Sequence, residues 1–176
     1  MKKLSMDELN RMTPEEYAQA NKFNYLIILD NIRSMNNVGS ALRTADAFAA
    51  EKVYMCGVTA TPPHRDITKT ALGADQTVNW EHANDTLVLC QDLQKNGYEI
   101  VAVEQIENST MLNEFNIDKN KKYAFVFGNE VMGVDQEIVK MANIHLEIPQ
   151  FGTKHSLNIG VSLGVICWEV VRQNIS

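Results

Sequence analysis

The stretch Tyr123-Ala124-Phe125-Val126-Phe127-Gly128-Asn129-Glu130 decides the fold class. Its first five residues are apolar with no polar alternation, the mark of a strand covered on both faces. Such strands belong to parallel sheets flanked by helices. The run then stops abruptly at Gly-Asn-Glu, with a second glycine at Gly133. That sets a tight turn and a carboxylate at the C-terminal end of a buried strand, where open α/β sheets bind their ligands. The glycine spacing is neither GxGxxG nor a phosphate-binding P-loop.

Working outward, strand and helix signals alternate. Strands are expected at Tyr25–Leu29, Lys52–Val58, Tyr98–Val103 and His145–Ile148. Helices are expected at Val38–Ala50, Asp85–Lys95 and Gln136–Ala142, with a long one over Ser156–Arg172. Residues 59–70 contain Pro62-Pro63 and no period, and read as a loop; residues 108–120 read as mostly loop with a helical turn. The βα alternation predicts an α/β domain with a largely parallel sheet flanked by helices. We divide the chain into an N-terminal helical appendage, residues 1–24, and a single domain, residues 25–176. In the appendage Thr13-Pro14-Glu15-Glu16 has the form of a capping box.

The chain has 176 residues, enough for one self-sufficient core. No run of about 18 apolar residues suggests a membrane span, and the two lysines near the start precede no secretory h-region. Three cysteines, Cys56, Cys90 and Cys167, sit in apolar stretches without CxxC spacing, which predicts buried thiols and a cytoplasmic setting. Four scattered histidines offer no metal-ligand spacing, and no metal is expected. The net charge of −6 argues against a chain-wide electrostatic grip on nucleic acid.

Two further segments are polar at the ends of strands. After Tyr25–Leu29 comes Asp30-Asn31-Ile32-Arg33-Ser34-Met35-Asn36-Asn37-Val38-Gly39-Ser40-Ala41-Leu42-Arg43-Thr44. Asn37 is a candidate helix cap, and Arg43 a candidate phosphate ligand or surface ion pair. The other is Ile148-Pro149-Gln150-Phe151-Gly152-Thr153-Lys154-His155-Ser156-Leu157-Asn158. Here Ser156 reads as the N-cap of the last helix, whose free N–H groups favour anions. Asn158 has no obvious place inside an apolar helix. That helix leaves almost no polar face, so part of it is expected either against a second copy of the chain or at the centre of the monomer.

The three segments, in this order, resemble the three motifs of the SpoU/TrmH group of the SPOUT superfamily of RNA methyltransferases. The first is Asn37-Val38-Gly39-Ser40 with Arg43-Thr44-Ala45. The second is Phe127-Gly128-Asn129-Glu130 with Gly133. The third is Ile148-Pro149, Gly152 and Ser156-Leu157-Asn158. The segment Lys69-Thr70-Ala71-Leu72-Gly73-Ala74 resembles the family's linker after the second strand.

The resemblance implies a C-terminal trefoil knot, a homodimer through the last helix, and transfer of a methyl group from S-adenosyl-L-methionine to a ribose 2′-hydroxyl of tRNA or rRNA. It implies that the donor is held around Gly128, Ile148, Leu157, Ser156 and Asn158, with help from the strand end at residues 103–105. The catalytic set it implies is Arg43, Asn37, Glu130, Ser156 and Asn158. Arg33, Arg43, Arg65, Lys69 and Lys154 are the expected RNA contacts. No RNA-binding domain is recognised before Tyr25. Two alternatives are an RNA-binding protein of the same fold without catalysis, and a methyltransferase acting on a base nitrogen.

Overall fold

The computed structural model describes residues 1–5 and 7–175. Seven parallel strands form one sheet: β1 (Phe23–Asp30), β2 (Ala50–Cys56), β3 (Trp80–Ala83), β4 (Tyr98–Val103), β5 (Thr110–Met111), β6 (Lys122–Phe127) and β7 (Ile144–Glu147). Their order across the sheet is β3-β2-β1-β6-β4-β7-β5. Thus β6 lies between β1 and β4, and β7 between β4 and β5.

The central strands are apolar throughout because both faces are covered. Along β1, Tyr25, Ile27 and Leu29 enter one core, while Leu26 and Ile28 enter the other. β6 repeats this with Tyr123, Phe125 and Phe127 against Ala124 and Val126. The first face carries α2 (Met35–Ala47), α3 (Arg65–Ala71), α4 (Ala74–Thr77) and α7 (Ile159–Ile175); the second carries α5 (Thr86–Lys95) and α6 (Gln136–Met141). Burial pushes all three thiols up to about 12, because a thiolate would lose its solvation. They are structural groups.

The N-terminal capping box is present: Thr13 Oγ1 accepts from Glu16 N, and Glu16 Oε2 accepts from Thr13 N. It opens the short helix α1 (Pro14–Gln19).

Three expectations need correction. Residues 59–70 are not all loop, since α3 begins at Arg65, where the His64 Nδ1 acceptor caps Asp66 N at 3.2 Å. It buries only Ile67 and Ala71, too few residues to betray a period. Arg65 and Lys69 therefore stand on a helix. Second, α2 starts at Met35 with Ser34 as its N-cap, so Asn37 lies inside the first turn rather than capping it. Third, the last helix starts at Ile159, not Ser156. Asn158 caps it, accepting from Gly160 N at 2.9 Å, which explains a polar residue before an apolar run.

This helix is not buried all round. Leu163, Ile166, Cys167, Val170 and Val171 face the core, while Val161, Val165 and Trp168 remain 52, 36 and 49% exposed.

Candidate active site

The side chain of Asn37 joins all three polar segments. Because Ser34 caps α2, the Asn37 amide is free of local duty. Its Nδ2 donates to Glu130 Oε1 at 3.1 Å, and its Oδ1 accepts from Asn158 Nδ2 at 3.2 Å. One buried amide thus ties the first segment to the second and third. The helices behind it run side by side: Asn37 meets Asn158 at their starts, and Phe48 meets Trp168 at 6.2 Å further on. Two helix N-termini therefore face the same end of the sheet, with their free N–H groups and positive dipole ends.

Glu130 serves the α2 start as a distant cap. Its Oε2 accepts from Arg33 N and its Oε1 from Ser34 N, each at 3.1 Å. Partial burial pushes its carboxyl up, but hydrogen bonds from its own N–H, from Arg33 and Ser34, and from Asn37 outweigh this and hold it below the ordinary value. It remains a carboxylate and a poor proton acceptor. Next to it, Asn129 Nδ2 donates to Asn31 O at 2.8 Å, while its Oδ1 accepts from Val131 N and Met132 N. At Gly128 a Cβ would collide with the backbone of Gly133 and Val134, so the turn requires glycine there.

The third segment borders a cleft between residues 103–105, residues 146–148 and the start of α7, to which Ser156, Leu157 and Ser162 contribute. Ile148 lines it from the end of β7. Glu104 Oε2 accepts from Val134 N at 3.0 Å, and Gln105 Nε2 donates to the His155 carbonyl at 2.8 Å. Adjacent residues at the end of β4 thus fasten the second and third segments. Sequence reasoning expected only general help from this strand end; two polar residues directly after a buried strand were the available signal. The enclosed part of the cleft is about 80 Å³, smaller than the roughly 300 Å³ or more of a typical ligand pocket. A nucleoside would lie across its open mouth.

Arg43 stands apart from this cluster. It is exposed on α2 and has no hydrogen bond or ion pair among the described residues. The side chains of Arg33, Arg65, Lys69 and Lys154 are likewise exposed and unpaired among the described residues. Ser156 is an exposed loop residue at the cleft, not a cap.

Residues 24–168 match the model of the SpoU rRNA methylase family. The chain belongs to that family. Among its relatives, a tRNA (guanosine(18)-2′-O)-methyltransferase of Aquifex aeolicus is 29% identical, over 84% of this chain and 69% of its own length. The 23S rRNA (guanosine-2′-O-)-methyltransferase RlmB of Neisseria meningitidis is 29% identical, over 85% of this chain and 59% of its own. A TrmH-family relative from Staphylococcus saprophyticus is 30% identical, and this chain spans 60% of its length. Among solved structures, the A. aeolicus TrmH/SpoU tRNA modifying enzyme superposes with a TM-score of 0.81 at 26% identity, covering 92% of this chain and 81% of that one. An AdoMet-bound rRNA methyltransferase from Sinorhizobium meliloti gives 0.80 at 26%, covering 94% and 62%. The SpoU match spans all three polar segments, so the Asn37 junction lies within the family's shared region.

The residues present fit S-adenosylmethionine as a ligand. Val103, Leu146, Ile148 and Leu157 give the cleft apolar walls suited to a base. Exposed backbone in the third segment can hydrogen-bond its polar edges, and Glu104 and Glu147 suit its positive charge.

Proposed function

We propose that this SpoU-family protein methylates a ribose 2′-hydroxyl of tRNA or rRNA, using S-adenosylmethionine as donor. The observation that carries this reading is the Asn37 junction, which joins the donor-side cleft to the helix bearing an unpaired arginine. The bound donor supplies an already activated methyl group. The protein's contribution is alignment and electrostatics.

Gly128, Ile148, Ser156, Leu157 and Asn158 surround the donor. Arg43 holds an RNA phosphate and stabilises negative charge developing on the 2′-oxygen. A guanidinium stays protonated, so it does not take the proton, which leaves to an RNA phosphate or water. Asn37 and Glu130 fix the start of α2 and thereby orient its helix. Arg33, Arg65, Lys69 and Lys154 add phosphate contacts, which makes the affinity strongly salt-dependent in a chain of net charge −6.

In this reading residues 25–176 form one domain of the SPOUT type and residues 1–24 an appendage. Its C-terminal part is threaded as a trefoil knot; the insertion of β6 and β7 between earlier strands supports that path. The exposed stripe Val161, Val165 and Trp168 is covered by the same helix of a second copy, so that the active site forms across a homodimer. Buried free thiols suit a cytoplasmic location.

Incubation with isotopically labelled donor and total RNA at low salt, followed by nucleoside analysis, tests the function. Label on ribose supports it. Label on a base nitrogen replaces it with base methylation, and RNA binding without label replaces it with a non-catalytic role. Val161→Asp is expected to convert dimer to monomer in sedimentation; a monomeric wild type contradicts the shared site.

A further inference from the structure

The cleft assigned to the donor carries an uneven charge. Two carboxyl side chains, Glu104 and Glu147, line it, and no lysine, arginine or histidine does. Both carboxyl groups are fixed. Glu104 accepts from Val134 N at 3.0 Å and, through its other oxygen, from Gln105 N at 2.9 Å. Glu147 Oε2 accepts from Ser109 Oγ at 2.7 Å on the far side of β7. The two residues are neighbours across the sheet, since Glu104 N donates to Leu146 O at 3.1 Å. The nearest basic residues in sequence, Lys154 and His155, sit on the third segment but do not line the cleft.

Loop architecture accounts for Glu104 in part, because it anchors the Gly133–Val134 turn. It does not account for a second acidic group at the end of β7 or for the missing counter-charge. Carboxyl oxygens bonded by backbone N–H or hydroxyl groups retain lone pairs and negative potential toward the cleft.

We propose that Glu104 and Glu147 are specificity-determining residues that distinguish the donor from its spent form by charge. This rests on the donor-site reading given above. S-adenosylmethionine carries a sulfonium cation, and S-adenosylhomocysteine has lost that charge together with the methyl group. The two are otherwise nearly the same shape. A cleft with two fixed negative groups and no positive one holds the cationic form more tightly and releases the neutral one, which relieves product inhibition. The factor is roughly tenfold in affinity, the scale of one unit charge a few ångströms from partly solvated carboxylates. Part of the discrimination is screened by salt.

The test is calorimetric titration of the full chain, without RNA, using three probes. These are S-adenosylmethionine, S-adenosylhomocysteine and sinefungin, whose protonated amine replaces the sulfonium but cannot transfer a methyl group. Wild type is expected to bind both cationic probes about tenfold more tightly than the neutral one, with the ratio shrinking as salt rises. Glu147→Gln keeps an acceptor for Ser109 and is expected to reduce the ratio to about threefold by weakening the cationic probes alone. Glu104→Gln is expected to do the same where the fold is retained. Equal affinity for all three probes in wild type overturns the inference while leaving the donor site intact, and needs no variant to fold. A ratio unchanged in Glu147→Gln and Glu104→Gln overturns the assignment to these residues. Binding of none of the three probes overturns the donor-site reading itself.

Discussion

The two loops that flank the cleft are built in opposite ways. Residues 128–134 are cross-linked to three other parts of the fold: Asn129 to Asn31, Glu130 to the start of α2, and Val134 to Glu104. Residues 150–157 are exposed at six of their eight described stations beyond Gln150 and Pro149, and among the described residues a single hydrogen bond, Gln105 to His155, fastens them. The first loop is part of the frame. The second is a cover with little holding it, consistent with a small enclosed cleft that must widen to admit a nucleoside. Rigidity therefore sits where the reacting groups are oriented, and adjustability sits where a ligand enters.

The largest expected effect breaks the rigid loop. Gly128→Ala drives a Cβ into the Gly133 and Val134 backbone, and neither can yield without unmaking the turn. Methylation should fall at least about 100-fold, given how steeply rate depends on alignment, and thermal unfolding should show a lowered midpoint.

Next, Glu130→Ala removes the acceptor of two backbone N–H groups and the Asn37 amide. Chemical denaturation should show a loss of about 1–2 kcal/mol, restrained because the site is partly solvated. Glu130→Gln, which keeps one acceptor, should lose less.

The same carboxylate gives a pH signature. Its folded pKa lies below the model value of 4.5, so its contribution is complete above that value and is lost as pH falls through the depressed folded pKa. The stability gap between wild type and Glu130→Gln should therefore narrow on going from pH 6 to about pH 3, measured by urea unfolding.

The smallest effect on stability sharpens the contrast. Gln105→Ala frees the cover loop at one exposed bond, and should change stability by less than about 0.5 kcal/mol. Donor affinity should nonetheless weaken by a few fold. A change in stability as large as that of Glu130→Ala would erase the distinction between the loops.

Much of this frame was legible in the sequence. Unbroken apolar runs marked β4 and β6, and Thr13-Pro14-Glu15-Glu16 marked its capping box. The polar segments at strand ends marked the site. What escaped was decided by competition between neighbours. Ser34 and Asn37 are both good caps, and only the fold shows that Ser34 takes that role and frees Asn37 for Glu130 and Asn158. Ser156 and Asn158 present the same choice, and there Asn158 takes the cap. The helix α3 buries two side chains beyond a proline pair and leaves no period to read. The strand β3 has four residues at a sheet edge, none fully buried, and carries too little pattern to register. Glu104 acts through a turn 30 residues away, a distance no local pattern spans.

The central claim is a division of labour, with Asn37 and Glu130 holding the frame and the unpaired Arg43 acting on RNA. Arg43→Ala tests it most directly, with single-turnover methylation, donor affinity and the unfolding midpoint measured on one preparation. The account predicts a rate loss of at least about 100-fold, the scale for removing a charged group that stabilises a developing oxyanion, with donor affinity and midpoint unchanged. A variant that methylates at the wild-type rate would contradict it.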